Sequence, residues 1–245
     1  MMKNVKLIIE YDGTNYHGWQ YQNNVNSIQE EIENALTIIT GEFIDIFGSG
    51  RTDAGVHAIG QVANFYTTSQ LPIERFKYAL NMRLPRDITI VDSEEVDLDF
   101  HARFSAKGKR YKYIIYNNEM PSAINRNYSY HIINKLNVDE MIKASEYLIG
   151  THDFRSFMTK GTVVKDTIRT IYSIDINKNS SFIEVIIEGS SFLRSMIRII
   201  VGTLILIGNG KLKKEALPNI ILSKKRCLAG PTAPAQGLYL QKVYY

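Results

Sequence analysis

Residues 48–58 read GSGRTDAGVHA, a loop in which one carboxylate, Asp53, stands between an arginine and a glycine turn. Glycines at positions 48, 50 and 55 permit backbone angles that other residues avoid and let a ligand approach the main chain closely. Arg51 can pair with Asp53 and hold the carboxylate in one orientation. A fixed aspartate beside a phosphate-binding arginine suits covalent chemistry on a nucleotide. A surface turn with an ion pair is the alternative interpretation of so short a motif.

The composition is that of a soluble globular protein. The chain has 245 residues, 44% hydrophobic and 22% charged, enough for one large domain or two closely packed halves. Cys227 is the only cysteine, which excludes an internal disulfide framework and favours a reducing compartment. The N-terminus lacks the apolar run of a secretory signal, and the longest apolar stretch, residues 192–207, is too short and too charged to span a bilayer. We therefore expect a cytoplasmic protein without a membrane span.

Basic residues are clustered along the chain. The net charge is only +4, but five cations fall within residues 103–112, and Tyr111, Tyr113 and Tyr116 lie at the end of this segment and just beyond it. Further cations follow within residues 194–214 and at 224–226. Cations mixed with aromatic side chains suit phosphate contacts combined with base stacking. For any one cluster taken alone, a solvated strand face is an equally good interpretation.

The hydrophobic periodicity predicts helices and strands in both halves of the chain. Ser27, with Glu30 three residues later, has the pattern of a helix N-cap before an apolar stripe that runs to Ile39. The other predicted helices cover residues 72–82, 138–149, 192–207 and 213–222. The predicted strands cover residues 5–11, 43–47, 61–67, 88–96, 110–116, 167–176, 182–188 and 238–244. Within the third of these helices, Arg194 and Arg198 are four residues apart and would share one face.

Several kinds of site are poorly supported by the sequence. The five histidines are scattered, and neither paired cysteines nor an H-E-x-x-H motif occurs, so no metal site is expected. The loop at 48–58 continues neither as a P-loop nor as a dinucleotide fingerprint. Ordinary glycoside hydrolysis needs two facing carboxylates, and this loop supplies one. Asp12 or Asp166 could be a second, but nothing in the sequence places either residue there.

The loop resembles the active-site motif of the pseudouridine synthases that act on the anticodon arm of transfer RNA, the TruA group. The resemblance continues in order along the chain and covers nearly all of it. The matching blocks are residues 11–22 (YDGTNYHGWQYQ), 101–106 (HARFSA) with 110–113 (RYKY), 150–157 (GTHDFRSF), Phe192-Leu193 with Met196-Ile197-Arg198 and Val201-Gly202, and residues 237–240 (GLYL).

The resemblance implies an α+β fold. Two similar α/β halves, ferredoxin-like sandwiches, would be joined around a mostly antiparallel sheet with a central active-site cleft. Residues 1–105 would form the N-terminal half, which carries the Asp53 loop. Residues 106–245 would form the C-terminal half, which carries the tyrosine and arginine partners.

The implied reaction converts uridine to pseudouridine in folded RNA. The bond between N1 and C1′ is broken, the uracil turns, and C5 joins C1′. By resemblance Asp53 is the nucleophile, and whether it attacks C1′ or abstracts a sugar proton stays open. Arg51 would orient Asp53 and fill the space of the flipped nucleotide. Tyr111 would pack on the uracil and relay the C5 proton, and Arg198 would form a second ion pair with Asp53.

The resemblance also implies the partners of the chain. The substrate would be tRNA, modified at positions 38, 39 and 40 of the anticodon stem-loop, and the enzyme would be a homodimer that uses neither cofactor nor metal. Besides Tyr111, the residues expected to contact the substrate are Arg103, Arg110, Lys112 and His57.

Three alternatives stay open from the sequence. Tyr111 could be an ordinary half-buried strand tyrosine. The chain departs from the family pattern at Arg194, Ser195 and Ile199, so it could modify a subset of the three positions or act on other RNAs. An RNA-binding protein without catalysis would keep the basic, tyrosine-rich segments, but it would have no need of the 48–58 loop.

Overall fold

A computed structural model describes residues 1–161 and 164–245. Within them it has ten strands and five α-helices, which confirms the α+β class. The strands are β1 (Lys3–Tyr11), β2 (Phe47–Gly48), β3 (His57–Thr67), β4 (Ile88–Val96), β5 (Gly108–Asn117), β6 (Tyr130–Ile132), β7 (Gly150–Asp153), β8 (Ile168–Asn179), β9 (Phe182–Gly189) and β10 (Leu238–Tyr244). The helices are α1 (Ile28–Thr40), α2 (Phe76–Asn81), α3 (Val138–Ser145), α4 (Met196–Gly208) and α5 (Ala216–Ser223).

The chain divides into two compact units. The first comprises residues 1–107 together with 239–245, and the second comprises residues 108–238. The C-terminal strand belongs with the first unit because β10 runs parallel to the start of β3, with Tyr239 opposite His57 and Leu240 opposite Ala58. The sequence-based expectation is two halves, residues 1–105 and 106–245. The structure instead places the last strand, β10, almost entirely with the first unit.

The first unit is built on β3. β1 lies antiparallel to both β3 and β4, and β2 and β10 pair with successive stretches of β3. Helix α1 buries the apolar stripe formed by Ile28, Ile32 and Leu36. Its predicted N-cap is confirmed, because the Ser27 hydroxyl accepts a hydrogen bond of 3.3 Å from the Glu30 amide. The loop between β2 and β3 carries Asp53.

The second unit has the strand order β5-β9-β8-β7, all antiparallel, with β6 parallel to β5. The pairing of β8 with β9 confirms the predicted antiparallel pair. On β5 the side chains alternate, so that Tyr111, Tyr113 and Ile115 are buried. The strand pairs within the two units are antiparallel except β5 with β6 and β10 with β3, so the β-structure is mixed.

Helix α4 begins at Met196 and not at residue 192. Ser195 has a left-handed backbone with φ 59°, and the Met196 amide donates to the Leu193 carbonyl at 3.0 Å in a turn that precedes the helix. Arg194 therefore lies outside the helix, and the prediction that Arg194 and Arg198 share one helix face is wrong.

Other predicted elements are shorter than expected. The strand predicted over residues 43–47 is reduced to β2, because the Ile46 amide donates to the Glu33 carboxylate at 3.1 Å and not to a neighbouring strand. The helix predicted over residues 138–149 ends at Ser145 and continues as a 3-10 turn. In the described residues no helix has both the length and the apolar character needed to cross a membrane.

Candidate active site

The start of the 48–58 loop is anchored by a buried polar network. The Ser49 amide donates to the Val62 carbonyl at 2.7 Å, and the Ser49 hydroxyl donates to the Gln61 side-chain oxygen at 2.7 Å. The Gln61 amide group donates in turn to the Gly50 carbonyl at 2.8 Å. Ser49 and Gln61 are almost fully buried, so these bonds satisfy polar groups that water does not reach. The network attaches the loop to β3.

Thr52 faces the interior and fixes the residue that follows it. Its hydroxyl lies 2.9 Å from the Tyr11 hydroxyl in a buried hydrogen bond, and its carbonyl accepts from the Trp19 amide at 3.2 Å. Asp53 comes next and is half-buried. The Asp53 carbonyl accepts from the Val56 amide at 3.1 Å, so a turn closes directly behind the carboxylate.

The turn after β1 packs closely against the same loop. A side chain at Gly18, whose φ is +98°, would lie 2.4 Å from the Thr52 carbonyl oxygen, and one at Gly13 would lie 2.1 Å from that of Val56. Both positions therefore require glycine. Asp12 forms this turn by accepting from the Thr14 amide at 2.9 Å, as its sequence pattern suggests. Residues 11–22, one of the blocks that resemble the TruA group, therefore pack against the loop that carries Asp53 and support it.

Tyr16 ties this support to the neighbouring β-structure. Its hydroxyl donates to the Asp87 carboxylate at 2.7 Å. Burial of the phenol and the hydrogen bond to Asp87 raise the pKa of Tyr16 far above its ordinary value, so the hydroxyl stays protonated and keeps donating. Tyr16 and Trp19 are both buried, so their rings pack inside the protein and are not exposed for stacking.

The expected ion pair between Arg51 and Asp53 is not formed. Arg51 is exposed, and within residues 1–161 and 164–245 its side chain has no carboxylate within 4.0 Å. An exposed pair gains little in water and costs the freedom of a long side chain, which accounts for the absence. The backbone on either side of Asp53 is held by the hydrogen bonds of Thr52 and Val56.

His57 is part of the scaffold beneath the loop. Only 2% of it is exposed, and its Nδ1 lies 3.1 Å from both the Gly13 amide and a carboxylate oxygen of Asp12. Its ring stacks on Tyr239 with centroids 4.8 Å apart. Its predicted contact with the substrate stays a prediction.

Tyr111 lies on the buried face of β5, opposite Ile187 of β9. It is 9% exposed, and its ring meets the edge of Phe192 at a centroid distance of 5.3 Å and an angle of 85°. Phe192 thus sets the orientation of the Tyr111 ring. The neighbouring Tyr113 is fully buried, its hydroxyl donates to the Pro234 carbonyl at 2.8 Å, and burial raises its pKa far above the ordinary value.

Two predicted phosphate contacts lie on the opposite face of β5 and are paired with glutamates of β9. Arg110 pairs with Glu188, which faces it in the strand register. Lys112 lies 3.8 Å from the Glu184 carboxylate. These glutamates offset part of the positive charge that the sequence predicts for this segment, and the RNA contacts of Arg110 and Lys112 stay predictions.

Arg198 is held against a loop that packs on α4. Its Nε donates to the Ala233 carbonyl at 2.7 Å, and the Ala233 amide donates to the Arg198 carbonyl at 3.0 Å. Close packing makes this possible, because a side chain at Gly202 would lie 1.9 Å from the Pro231 carbonyl oxygen. The guanidinium is therefore held in place by a contact with the backbone.

The predicted residues fall in both units. Arg51, Asp53, His57 and Arg103 belong to the first, and Arg110, Tyr111, Lys112 and Arg198 belong to the second. The sequence analysis missed the supporting roles of Tyr11, Thr52 and Phe192, although all three lie in or beside the matching blocks. In the described residues no group of three or more histidine, cysteine or acidic side chains is arranged to hold a metal ion.

Comparison with known proteins identifies the class to which this fold and this loop belong. A family model described as tRNA pseudouridine synthase matches residues 7–105 and 144–245. The chain therefore belongs to the tRNA pseudouridine synthase family and is an isomerase.

Full-length relatives agree with the family assignment. The chain is 54% identical over 244 residues to tRNA pseudouridine synthase A of Acetivibrio thermocellus, 52% identical over 244 residues to that of Thermoanaerobacter pseudethanolicus and 51% identical over 245 residues to that of Ruminiclostridium cellulolyticum. Each alignment covers 100% of both chains. Among solved structures, a chain of a Cbf5-Nop10-Gar1 complex aligns at 14% identity and a TM-score of 0.34, over 82% of this chain and 54% of that one.

Proposed function

We propose that this chain converts uridine to pseudouridine at positions 38, 39 and 40 of the tRNA anticodon stem-loop, with Asp53 as the nucleophile. The family and the full-length relatives named tRNA pseudouridine synthase A support tRNA as the substrate. The observation that carries the role of Asp53 is its setting. A half-buried carboxylate follows a threonine whose hydroxyl and carbonyl are both hydrogen-bonded, and it precedes a closed turn. Such a carboxylate is positioned before the substrate arrives.

The reaction begins at the ribose of the target uridine. Asp53 attacks C1′ or removes a proton from the sugar, and the bond between N1 and C1′ breaks. The uracil turns and C5 bonds to C1′. In the same step the Asp53–C1′ bond breaks and frees the carboxylate or, if Asp53 removed a sugar proton, that proton returns to the sugar. C5 then gives up its proton while N1 gains one. Atoms and charge therefore balance without a cofactor.

The other proposed residues act on the base and on the aspartate. Tyr111, oriented by Phe192, packs on the uracil and relays the proton lost from C5. Arg198, fixed through Ala233, pairs with Asp53 and stabilises its charge. Arg51 has an exposed side chain, which suits it to fill the space left by a flipped nucleotide.

The RNA is recognised mainly by its shape and its phosphates. An A-form stem hides the base edges in a deep, narrow groove, so the backbone and the unpaired loop carry most of the information. Arg103, Arg110 and Lys112 are the proposed direct contacts, and His57, buried beneath the 48–58 loop, is proposed to act on the substrate through that loop. We take the enzyme to be a cytoplasmic homodimer, as the TruA resemblance implies.

Release of tritium from tRNA labelled at C5 of uridine tests the reaction, because the C5 hydrogen is lost only when C5 bonds to C1′. We expect Asp53→Asn to lower turnover by about 10³-fold or more while tRNA binding is kept. Asp45→Asn, at an exposed aspartate of the same unit, is the matched control and should leave turnover unchanged. Normal turnover by Asp53→Asn would refute the assignment of the nucleophile.

Mapping of pseudouridines in total RNA from cells that lack the protein tests the substrate. Loss confined to positions 38, 39 and 40 of tRNA supports the proposal. An unchanged anticodon arm, with losses in other RNAs, would instead assign the enzyme to a different substrate.

A further inference from the structure

A continuous series of aromatic rings lies on the first unit beside the start of the 48–58 loop. Ring centroids are 6.3 Å apart between Tyr66 and Phe47, 5.2 Å between Phe47 and His101, and 4.4 Å between His101 and Phe104. We call these four residues the aromatic ladder. The guanidinium of Arg103 lies 5.5 Å from the centre of the Phe104 ring at the outer end of the ladder.

The outer part of the ladder faces solvent. Phe104 is 75% exposed and Phe47 is 38% exposed. Exposed phenylalanine surface is unfavourable in water, and packing of the core does not require it here. A cluster of such rings beside a cation has the composition of a binding surface for planar, negatively charged partners.

The ladder is held rigidly although its outer residues lie in a loop. The Ala102 amide donates to the Asn64 side-chain oxygen at 2.8 Å, and the Asn64 amide group donates to the Asn4 oxygen at 2.9 Å. Asn4 also donates to the carbonyls of Asp97 and Phe100, and both asparagines are fully buried. The loop is therefore ordered in advance, so a ligand that stacks on it does not bear that entropic cost.

His101 contributes a fixed stacking face. Its Nδ1 accepts a hydrogen bond from the Arg103 amide at 3.1 Å. The same loop is closed by the Ser105 hydroxyl, which accepts from the His101 amide at 3.1 Å. The imidazole is thus fixed between Phe47 and Phe104.

We infer that the aromatic ladder is a stacking platform for an unpaired base of the RNA substrate. Stacking of bases on aromatic rings is the usual way in which proteins hold unpaired nucleotides, and Arg103 supplies charge that complements the phosphates. Phe47 is six residues from Asp53, so their Cα atoms are at most about 21 Å apart. The inference rests on the proposed function.

Fluorescence of 2-aminopurine tests the platform, because the probe is quenched when it stacks. The probe is placed in turn at each unpaired position of a tRNA anticodon loop, and binding is measured with an Asp53→Asn protein so that no chemistry intervenes. We expect quenching at one position, and we expect Phe104→Ala to abolish it and to weaken binding by about 10-fold. Phe104→Trp should keep both.

The matched control is Phe43→Ala, which removes an 89% exposed phenylalanine of the same unit outside the ladder. It should change neither quenching nor affinity. If Phe104→Ala does not fold, Phe104→Leu gives the same comparison, because it keeps apolar volume and removes the ring. In otherwise wild-type protein, loss of the platform should raise KM for tRNA and leave kcat nearly unchanged.

The outcomes separate the platform from the function on which it rests. Tritium release by the wild-type protein, with Phe104→Ala and Phe43→Ala indistinguishable, overturns the platform and leaves the proposed function intact. Absence of tritium release by the wild type overturns the proposed function, whatever the quenching shows. A change of oligomeric state in Phe104→Ala by sedimentation, with unaltered quenching, overturns the platform by assigning the ladder to a protein contact.

Discussion

At the scale of single residues, the position of Asp53 depends on Thr52, a neighbour for which no catalytic role is proposed. Thr52 is 8% exposed and bonds through its hydroxyl to Tyr11, which lies on a strand 41 residues earlier in the chain. Because the backbone is continuous, an anchored Thr52 limits where the Asp53 carboxylate can lie. Removal of the Tyr11 hydroxyl leaves that of Thr52 buried without this hydrogen bond, which costs more than the net value of the bond.

We expect Tyr11→Phe to lower kcat for tritium release by about 3- to 10-fold and to leave KM for tRNA nearly unchanged, because the carboxylate is displaced while the RNA contacts remain. The free energy of unfolding should fall by about 1 kcal/mol in denaturant titrations. Tyr78→Phe, at a tyrosine 59% exposed, is the control. The effects of Tyr11→Phe and Thr52→Val should be less than additive, and strictly additive effects would contradict the coupling.

At the scale of elements, α4 positions Arg198 through the fit of a neighbouring loop. Glycine at position 202 lets the Pro231 carbonyl approach the helix, and the Gly230 amide donates to the Thr203 hydroxyl at 2.9 Å. The carbonyl of Ala233 then lies where Arg198 donates to it. Helix, loop and guanidinium therefore form one packed arrangement.

Gly202→Ala should disrupt this arrangement, because the added methyl group would lie 1.9 Å from a backbone oxygen that cannot move independently. We expect the free energy of unfolding to fall by about 3 kcal/mol, against a gain in helix propensity of about 1 kcal/mol. Turnover should fall as well, because Arg198 is displaced.

Gly208→Ala is the control in the same helix. The nearest atom to its methyl group would be the flexible Met141 sulfur at 2.7 Å, which can move. Thermal unfolding and tritium release are measured for both variants, and we expect the larger losses of stability and turnover in Gly202→Ala. An equal loss of stability in both would show that substitution of glycine in α4 matters and that the contact with Pro231 does not.

At the scale of the whole molecule, the chain returns to its first unit after the second is complete. In addition to the pairing of β10 with β3, two hydrogen bonds join the C-terminal residues to the first unit. The Lys107 amide donates to the Tyr244 carbonyl at 2.8 Å, and the Tyr245 hydroxyl donates to the Ala102 carbonyl at 2.8 Å. Burial raises the pKa of Tyr245 far above its ordinary value, so this hydroxyl remains a donor. The first unit is therefore incomplete without the last residues of the chain.

This closure predicts the behaviour of fragments. Residues 1–107 joined through a flexible linker to residues 239–245 should unfold cooperatively at a higher temperature than residues 1–107 alone, because β3 regains its parallel neighbour and Ala102 its hydrogen-bond donor. Circular dichroism during heating measures the difference. Identical melting curves would mean that β10 contributes nothing to the first unit by itself.

Features that depend on near neighbours in the chain are predictable from the amino-acid sequence. Ser27 and Glu30 mark the start of α1, and the predicted bounds of β4 and β10 agree with the structure, because capping and alternating hydrophobicity act over a few residues. The motif blocks also identified the family before any geometry was known.

Contacts between residues that are distant in sequence are seen in the three-dimensional structure alone. The structure gives the following examples. It left Arg51 and Asp53 unpaired with each other, placed Arg194 outside α4, bonded Tyr11 to Thr52, and assembled the aromatic ladder from four separate positions. The physical reason is the same in each case. Which side chains meet depends on strand register and on packing between elements, and short-range patterns do not encode either of them.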